Sequence, residues 1–199
     1  MTTGHKSVFF TVLLIMAMYR GGKDYESKRN FIINGALVHF LVSIILTILL
    51  GFNTVESLFI RRLLFIPALL NNYYFDFFDN NHVYYSSSYL SFLIDYPFDR
   101  PIPEVIGFNY FNSNEMSANN GYISDGFANA GSLGVFINII LAAVLLKVFK
   151  DFSVSPKYAG LIFVTFYAIQ GSAMSTVLMT HGGVLLLILV PMVLGRRNG

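Results

Sequence analysis

Phe31–Phe52 (FIINGALVHFLVSIILTILLGF) runs for 22 residues with His39 as its only ionisable group. At about 1.5 Å of rise per residue it makes roughly 33 Å of helix, enough to cross a bilayer core of about 30 Å. Reading this stretch as a membrane-crossing helix decides the fold class, which is all-α. Ala130–Phe149 gives a second clear span, charged only at Lys147 near its end. Tyr158–Gly195 has 38 residues and no Asp, Glu, Lys or Arg. That is too long for one span and right for two, with a turn near Gly171–Ser175. Ser7–Tyr19 is apolar over only 13 residues, and Tyr19-Arg20-Gly21 offers no small-residue cleavage pattern. It therefore reads as a shortened transmembrane helix rather than a signal peptide.

Working outward, the spans fall at about 7–19, 31–52, 130–149, 158–172 and 175–195, in a single membrane domain with an external region over 53–126. The expected fold is a polytopic helical bundle of about five spans with one re-entrant or interfacial helix. Composition agrees: 55% of residues are hydrophobic, 12% are charged and the mean hydropathy is +0.60. There is no cysteine, so no disulfide, thiol nucleophile or Cys-ligated metal enters. A net charge of +2 does not point to nucleic acid.

The position of the charges orients the chain. Arg20, Lys23, Lys28 and Arg29 precede the second span, Lys147, Lys150 and Lys157 surround the next short loop, and Arg196-Arg197 follow the last span. Five alternating spans put all of these on one side, which the positive-inside rule makes cytoplasmic. The region 53–126 is then external. It holds eight acidic residues against Arg61, Arg62 and Arg100.

Within it, Ser57–Leu70 (SLFIRRLLFIPALL) is too short to cross and is interrupted by Pro67, which predicts a re-entrant or interfacial helix kinked there. Two readings are open for Arg61 and Arg62: they snorkel to lipid headgroups, or one of them clamps a diphosphate, for which the rigid guanidinium fork is suited. Successive helix positions lie about 100° apart, so only one of the pair faces a site. Asn71–Asn81 (NNYYFDFFDNN) surrounds Asp76 and Asp79 with aromatic rings. Rings that stack on sugar faces beside hydroxyl-accepting carboxylates suit a glycan, and an interfacial aromatic belt is the plainer account of Tyr73 and Tyr74. Tyr84–Pro103 reads as irregular loop with one helical turn near Tyr89–Ile94, and Ile106–Gly134 as an amide- and glycine-rich loop in which Asp125 is a candidate helix N-cap. The four histidines have no ligand spacing, and neither a Gly-x-Ser-x-Gly elbow nor a P-loop is present. His181 lies near the outer end of the last hairpin, where a hydrogen-bonded bundle histidine is the plainer reading.

The series RRLLFIP (61–67), YYFDFF (73–78), Ile106-Gly107-x-x-Tyr110-Phe111, ISDGFANAGSLG (123–134) and VLMTHGG (177–183) resembles, in order and topological placement, the bacterial oligosaccharide repeat-unit, or O-antigen, polymerases. The resemblance covers Leu58 to Gly195 and matches the C-terminal portion of larger multispanning proteins. It implies that the 199 residues are incomplete or inactive alone, or are completed by a second polypeptide. It further implies a glycosyltransferase of the cytoplasmic membrane, acting at its outer, periplasmic face. Such an enzyme joins polyprenyl-diphosphate-linked oligosaccharides into polysaccharide, alongside flippase and chain-length regulator proteins. No metal or other cofactor is called for, since diphosphate is already a good leaving group. The implied roles are Arg61 or Arg62 on the departing diphosphate, Asp76, Asp125 or His181 as base, and Tyr73, Tyr74, Asp79, Tyr110 and Asn129 in substrate binding. An O-antigen ligase would use the same arginines. A flippase or transporter is the other class, but transporter folds carry internal repeats, and none is visible here.

Overall fold

The computed structural model describes residues 4–51, 61 and 65–194. Those residues are helical throughout their regular parts, with no strand among them. They group into two compact units, one from 4–51, 61, 146–166 and 187–194, the other from 65–145 and 167–186.

In the first unit α1 (Gly4–Arg20) leads through a short turn into α2 (Tyr25–Leu50). Asp24 caps α2: its carboxylate accepts the Ser27 backbone N–H at 2.8 Å and the Ser27 hydroxyl at 3.0 Å. This satisfies one of the orphan donors of the first turn and holds the Asp24 carboxyl below its usual range. Gly51, at φ +63°, closes the other end, returning its N–H to Leu46 and Thr47. That left-handed C-cap is cheap only for glycine. Lys28, expected in a basic loop, is instead inside α2 and almost wholly buried. Its ammonium donates to the carbonyls of Met18 and Tyr19 (3.3 Å to the latter), placing a cation on the C-terminal end of α1. Gly160 lets α6 (Ala159–Gly171), which follows a 3-10 turn at Pro156–Tyr158, approach α1, since a Cβ there would lie 3.1 Å from Ile15 Cα.

The second unit is built on α3 (Ile66–Phe78) and α4 (Ile102–Phe111). Leu70, Tyr74 and Phe78 recur at four-residue spacing and form one buried stripe of α3. They pack with Ile102, Ile106, Val83, Ala118 and Ala128. Pro67 sits in the first turn of α3, where its missing N–H forfeits no bond. The remainder of Ser57–Leu70, Arg62 included, lies largely outside the described residues. Part of the expected loop over 106–134 is helical: α4 runs to Phe111, and α5 (Tyr122–Asp151) starts eight residues before the predicted span. The segment 84–93 is a series of tight turns, and the Ile94 N–H donates to the Leu90 carbonyl at 3.0 Å, the single helical turn expected near 89–94.

α5 is not straight. Ala130 (φ −152°, ψ 33°) and Gly131 (φ 58°, ψ −142°) leave helical geometry, and the chain turns back on itself there. A Cβ on Gly134 would lie 2.0 Å from the Gly126 carbonyl oxygen, whereas residues eight apart in a straight helix are about 12 Å apart along its axis. Residues 122–129 and 132–151 thus form a helical hairpin closed on glycine. The arm 132–151 supplies 20 residues, about 30 Å, of membrane-length helix.

Among the described residues two helices, α2 and α5, are long and apolar enough to cross a membrane. α2 leaves large aliphatic side chains open, Ile48 at 75% and Leu49 at 73%, a surface suited to lipid or to neighbouring helices rather than water. The apolar segment 158–195 divides into shorter pieces: α6, α7 (Met174–Met179), α8 (Gly183–Leu189) and a π-helical turn, Val190–Leu194.

Candidate functional site

The hairpin of α5 ends its first arm in carbonyls that α5 itself cannot satisfy. They are taken by the turn segment after α3: Val83 N–H donates to Ala128 at 3.0 Å and Tyr84 N–H to Asn129 at 2.9 Å. The next amide, Tyr85, donates at 2.8 Å to the Asn129 side-chain oxygen. This pairing holds Tyr84 and Tyr85 at φ +50° and +58°, a left-handed conformation that bulky residues rarely adopt.

Asn129 transmits that pairing to Asp125. Its amide donates to the Asp125 backbone oxygen at 2.7 Å and to Oδ1 at 3.1 Å. Across the hairpin Asn138 donates to Oδ2 at 3.1 Å and to the Tyr122 carbonyl at 2.9 Å. The Met174 N–H, at the start of α7, donates to Oδ2 at 3.0 Å. Asp125 therefore does not cap its own helix as expected from the sequence. It sits within the first arm of α5 and caps α7. A carboxylate has about four acceptor positions, and three donors occupy this one. One position on Oδ1 is left.

Asp125 is 9% exposed and lines a pocket of about 320 Å³. Hydroxyls of Ser87, Ser88, Ser175 and Thr176 and the amide of Asn119 face the same space, with Pro101, Ile102 and Pro103 as an apolar wall. Behind it lies a second polar set. Asn120 donates to Asn71 Oδ1 at 2.9 Å and to Ser124 Oγ at 2.6 Å, and the Ser124 hydroxyl bonds to Asn71. Ser124 is fully buried. Buried polar groups require partners, and these supply one another.

The other predicted residues divide. Tyr110 donates to Asp76 at 2.5 Å, and its ring stacks on Tyr73 at 4.3 Å and 17°. Burial, then the bond to Asp76, pushes the Tyr110 phenol up to about 12, so it remains a donor. Asp76 is exposed, and this set is separate from the Asp125 pocket in its bonding. Tyr74 lines the pocket but is 3% exposed and donates to the Ala118 carbonyl at 3.0 Å. It belongs to the buried core cluster of the second unit. Asp79 is exposed and accepts the Asn80 side-chain amide at 3.4 Å. Arg61 is exposed in the first unit, and Arg62 lies outside the described residues. His181 is exposed beyond α7 rather than buried in a bundle.

Asn138, Ser124, Asn71 and His82 were not legible as site residues. Asn138 had a signal, a lone amide in VFINIIL, since polar groups in apolar helices mark function. His82 packs edge-on against Phe127, and its Nε2 would lie 3.1 Å from a Cβ on Gly131. Among the described residues no group of three His, Cys, Asp or Glu is placed to hold a metal ion. Compared with protein-family models, curated proteins and solved structures, the chain has no match.

Proposed function

We propose that this chain is a membrane glycosyltransferase of the repeat-unit polymerase type, set in a bacterial cytoplasmic membrane with residues 53–126 at the external face. The carrying observation is Asp125: a buried carboxylate with one acceptor position left, lining a pocket of hydroxyls and amides. That environment suits a sugar hydroxyl. In the reaction the acceptor hydroxyl oxygen bonds to the anomeric carbon of a polyprenyl-diphosphate-linked glycan as the bond to diphosphate breaks. The hydroxyl proton passes to Asp125 Oδ1, and the diphosphate departs on its lipid carrier. α2 and α5 supply two crossings, and the shorter apolar helices supply the rest of the five spans.

The test uses the native host. Deleting the chain is expected to leave single repeat units on the lipid carrier and no polymer; an unchanged polymer ladder overturns the reading. Restored with Arg61→Lys or Arg62→Lys, one variant should lose polymer and the other keep it, because ammonium keeps the charge but not the two-pronged geometry. Normal polymer with both variants removes the diphosphate clamp.

The placement in the membrane has its own measurement. Reporter fusions at Ser27 and Ser153 should signal from the cytoplasm and a fusion at Ser113 from outside. Cytoplasmic signal at Ser113 would put the Asp125 pocket on the wrong face for an externally presented glycan.

A further inference from the structure

We infer that the pocket over Asp125 is the subsite for an uncharged sugar ring at the acceptor end of the glycan, and that the diphosphate-bearing end is excluded from it. This deepens the transferase reading and rests on it. The residues lining the pocket include one carboxylate, Asp125, and none of them is Lys, Arg or His. A phosphate or uronate seated there would meet a buried like charge with no cation to offset it, and desolvation would make the repulsion larger than in water.

A neutral hexose has what the lining asks for. Its hydroxyls can donate to the remaining position on Oδ1 and exchange bonds with Ser88, Ser175 and Thr176, while its apolar face meets Pro101 and Pro103. Small-ligand sites have this composition, an apolar wall with a few converging polar groups, and a volume near 300 Å³ is at the small end of their range. One ring fits better than a chain. The Met174 N–H at the mouth of α7 is already taken by Asp125, so it is not offered to an anion.

The full chain in lipid nanodiscs is titrated with neutral methyl hexopyranosides, the matching methyl uronates and hexose 1-phosphates, with binding read by saturation-transfer NMR. At least one neutral glycoside should bind in the millimolar range, and its charged counterparts at least tenfold more weakly. Thr176→Val, which removes a hydroxyl at constant volume, should weaken the neutral sugar about tenfold, and Ser88→Ala should do so by a similar factor. Equal or tighter binding of the uronate or phosphate, no binding by any neutral glycoside, or unchanged affinity in both variants overturns the assignment. The host deletion separates the two claims. Polymer lost on deletion with an anion-preferring pocket sinks the subsite alone, and polymer kept on deletion sinks the transferase reading whatever the pocket binds.

Discussion

Asp125→Ala is expected to lower the stability of the second unit by about 3 kcal/mol and to abolish polymer, whereas Asp125→Asn should cost about 1 kcal/mol and abolish polymer equally. The asymmetry comes from what each change leaves behind. Asn129 and Asn138 each keep a backbone acceptor, on Asp125 and Tyr122. The Met174 N–H has only Oδ2. Alanine orphans that buried donor and opens a void beneath the pocket, and the two penalties add. Asparagine can still present an oxygen to Met174, at the expense of turning its own NH2 toward that of Asn129. Neither variant has a carboxylate to take a proton from an acceptor hydroxyl. Thermal unfolding in detergent measures the first effect and the polysaccharide ladder in the host the second. An Asp125→Asn protein that makes normal polymer would reduce Asp125 to a structural cap of α7.

Unbroken apolarity over 22 and 20 residues made α2 and the long arm of α5 readable, because length and composition need no partner to reveal them. The Asp-Gly-x-x-Asn run likewise flagged Asp125 and Asn129, whose bond is local, four residues apart. What was not readable depended on distance in the chain. Asn138 reaches Asp125 across 13 residues only because α5 doubles back at Ala130-Gly131, and a straight helix would have put them about 20 Å apart. Met174 arrives from 49 residues away through its backbone, which no side chain announces. Tyr73 and Tyr74 make the same point at one-residue resolution. They are chemically alike in sequence, yet the 100° helical step sends one to stack on Tyr110 and the other into the core. The amide-rich 106–134 read as loop because asparagine and glycine favour turns. Some of its amides instead bond within helices, as Asn109 does to the Val105 carbonyl and Asn129 to that of Asp125.

Gly134→Ala should cost about 3 kcal/mol or more, while Gly35→Ala should be neutral or stabilising by up to about 1 kcal/mol. Both glycines lie in apolar helices, and propensity alone favours alanine at each. At Gly35 a Cβ meets nothing within 4 Å. At Gly134 it would lie 2.0 Å from the Gly126 oxygen and 2.8 Å from the Gly126 carbonyl carbon, atoms of backbone that cannot rotate aside. The two arms of α5 must then separate, and the bonds from Asn138 to Tyr122 and to Asp125 stretch with them. Gly126→Ala, whose Cβ would lie 2.6 Å from the Gly134 oxygen, should behave alike. Detergent melts of the three variants give the comparison, and equal midpoints for Gly134→Ala and Gly35→Ala would refute the closed hairpin. Neither Gly126 nor Gly134 lines the pocket. If polymer falls with Gly134→Ala in step with the melting midpoint, the closure of α5 is what holds the Asp125 carboxylate where a sugar hydroxyl can reach it.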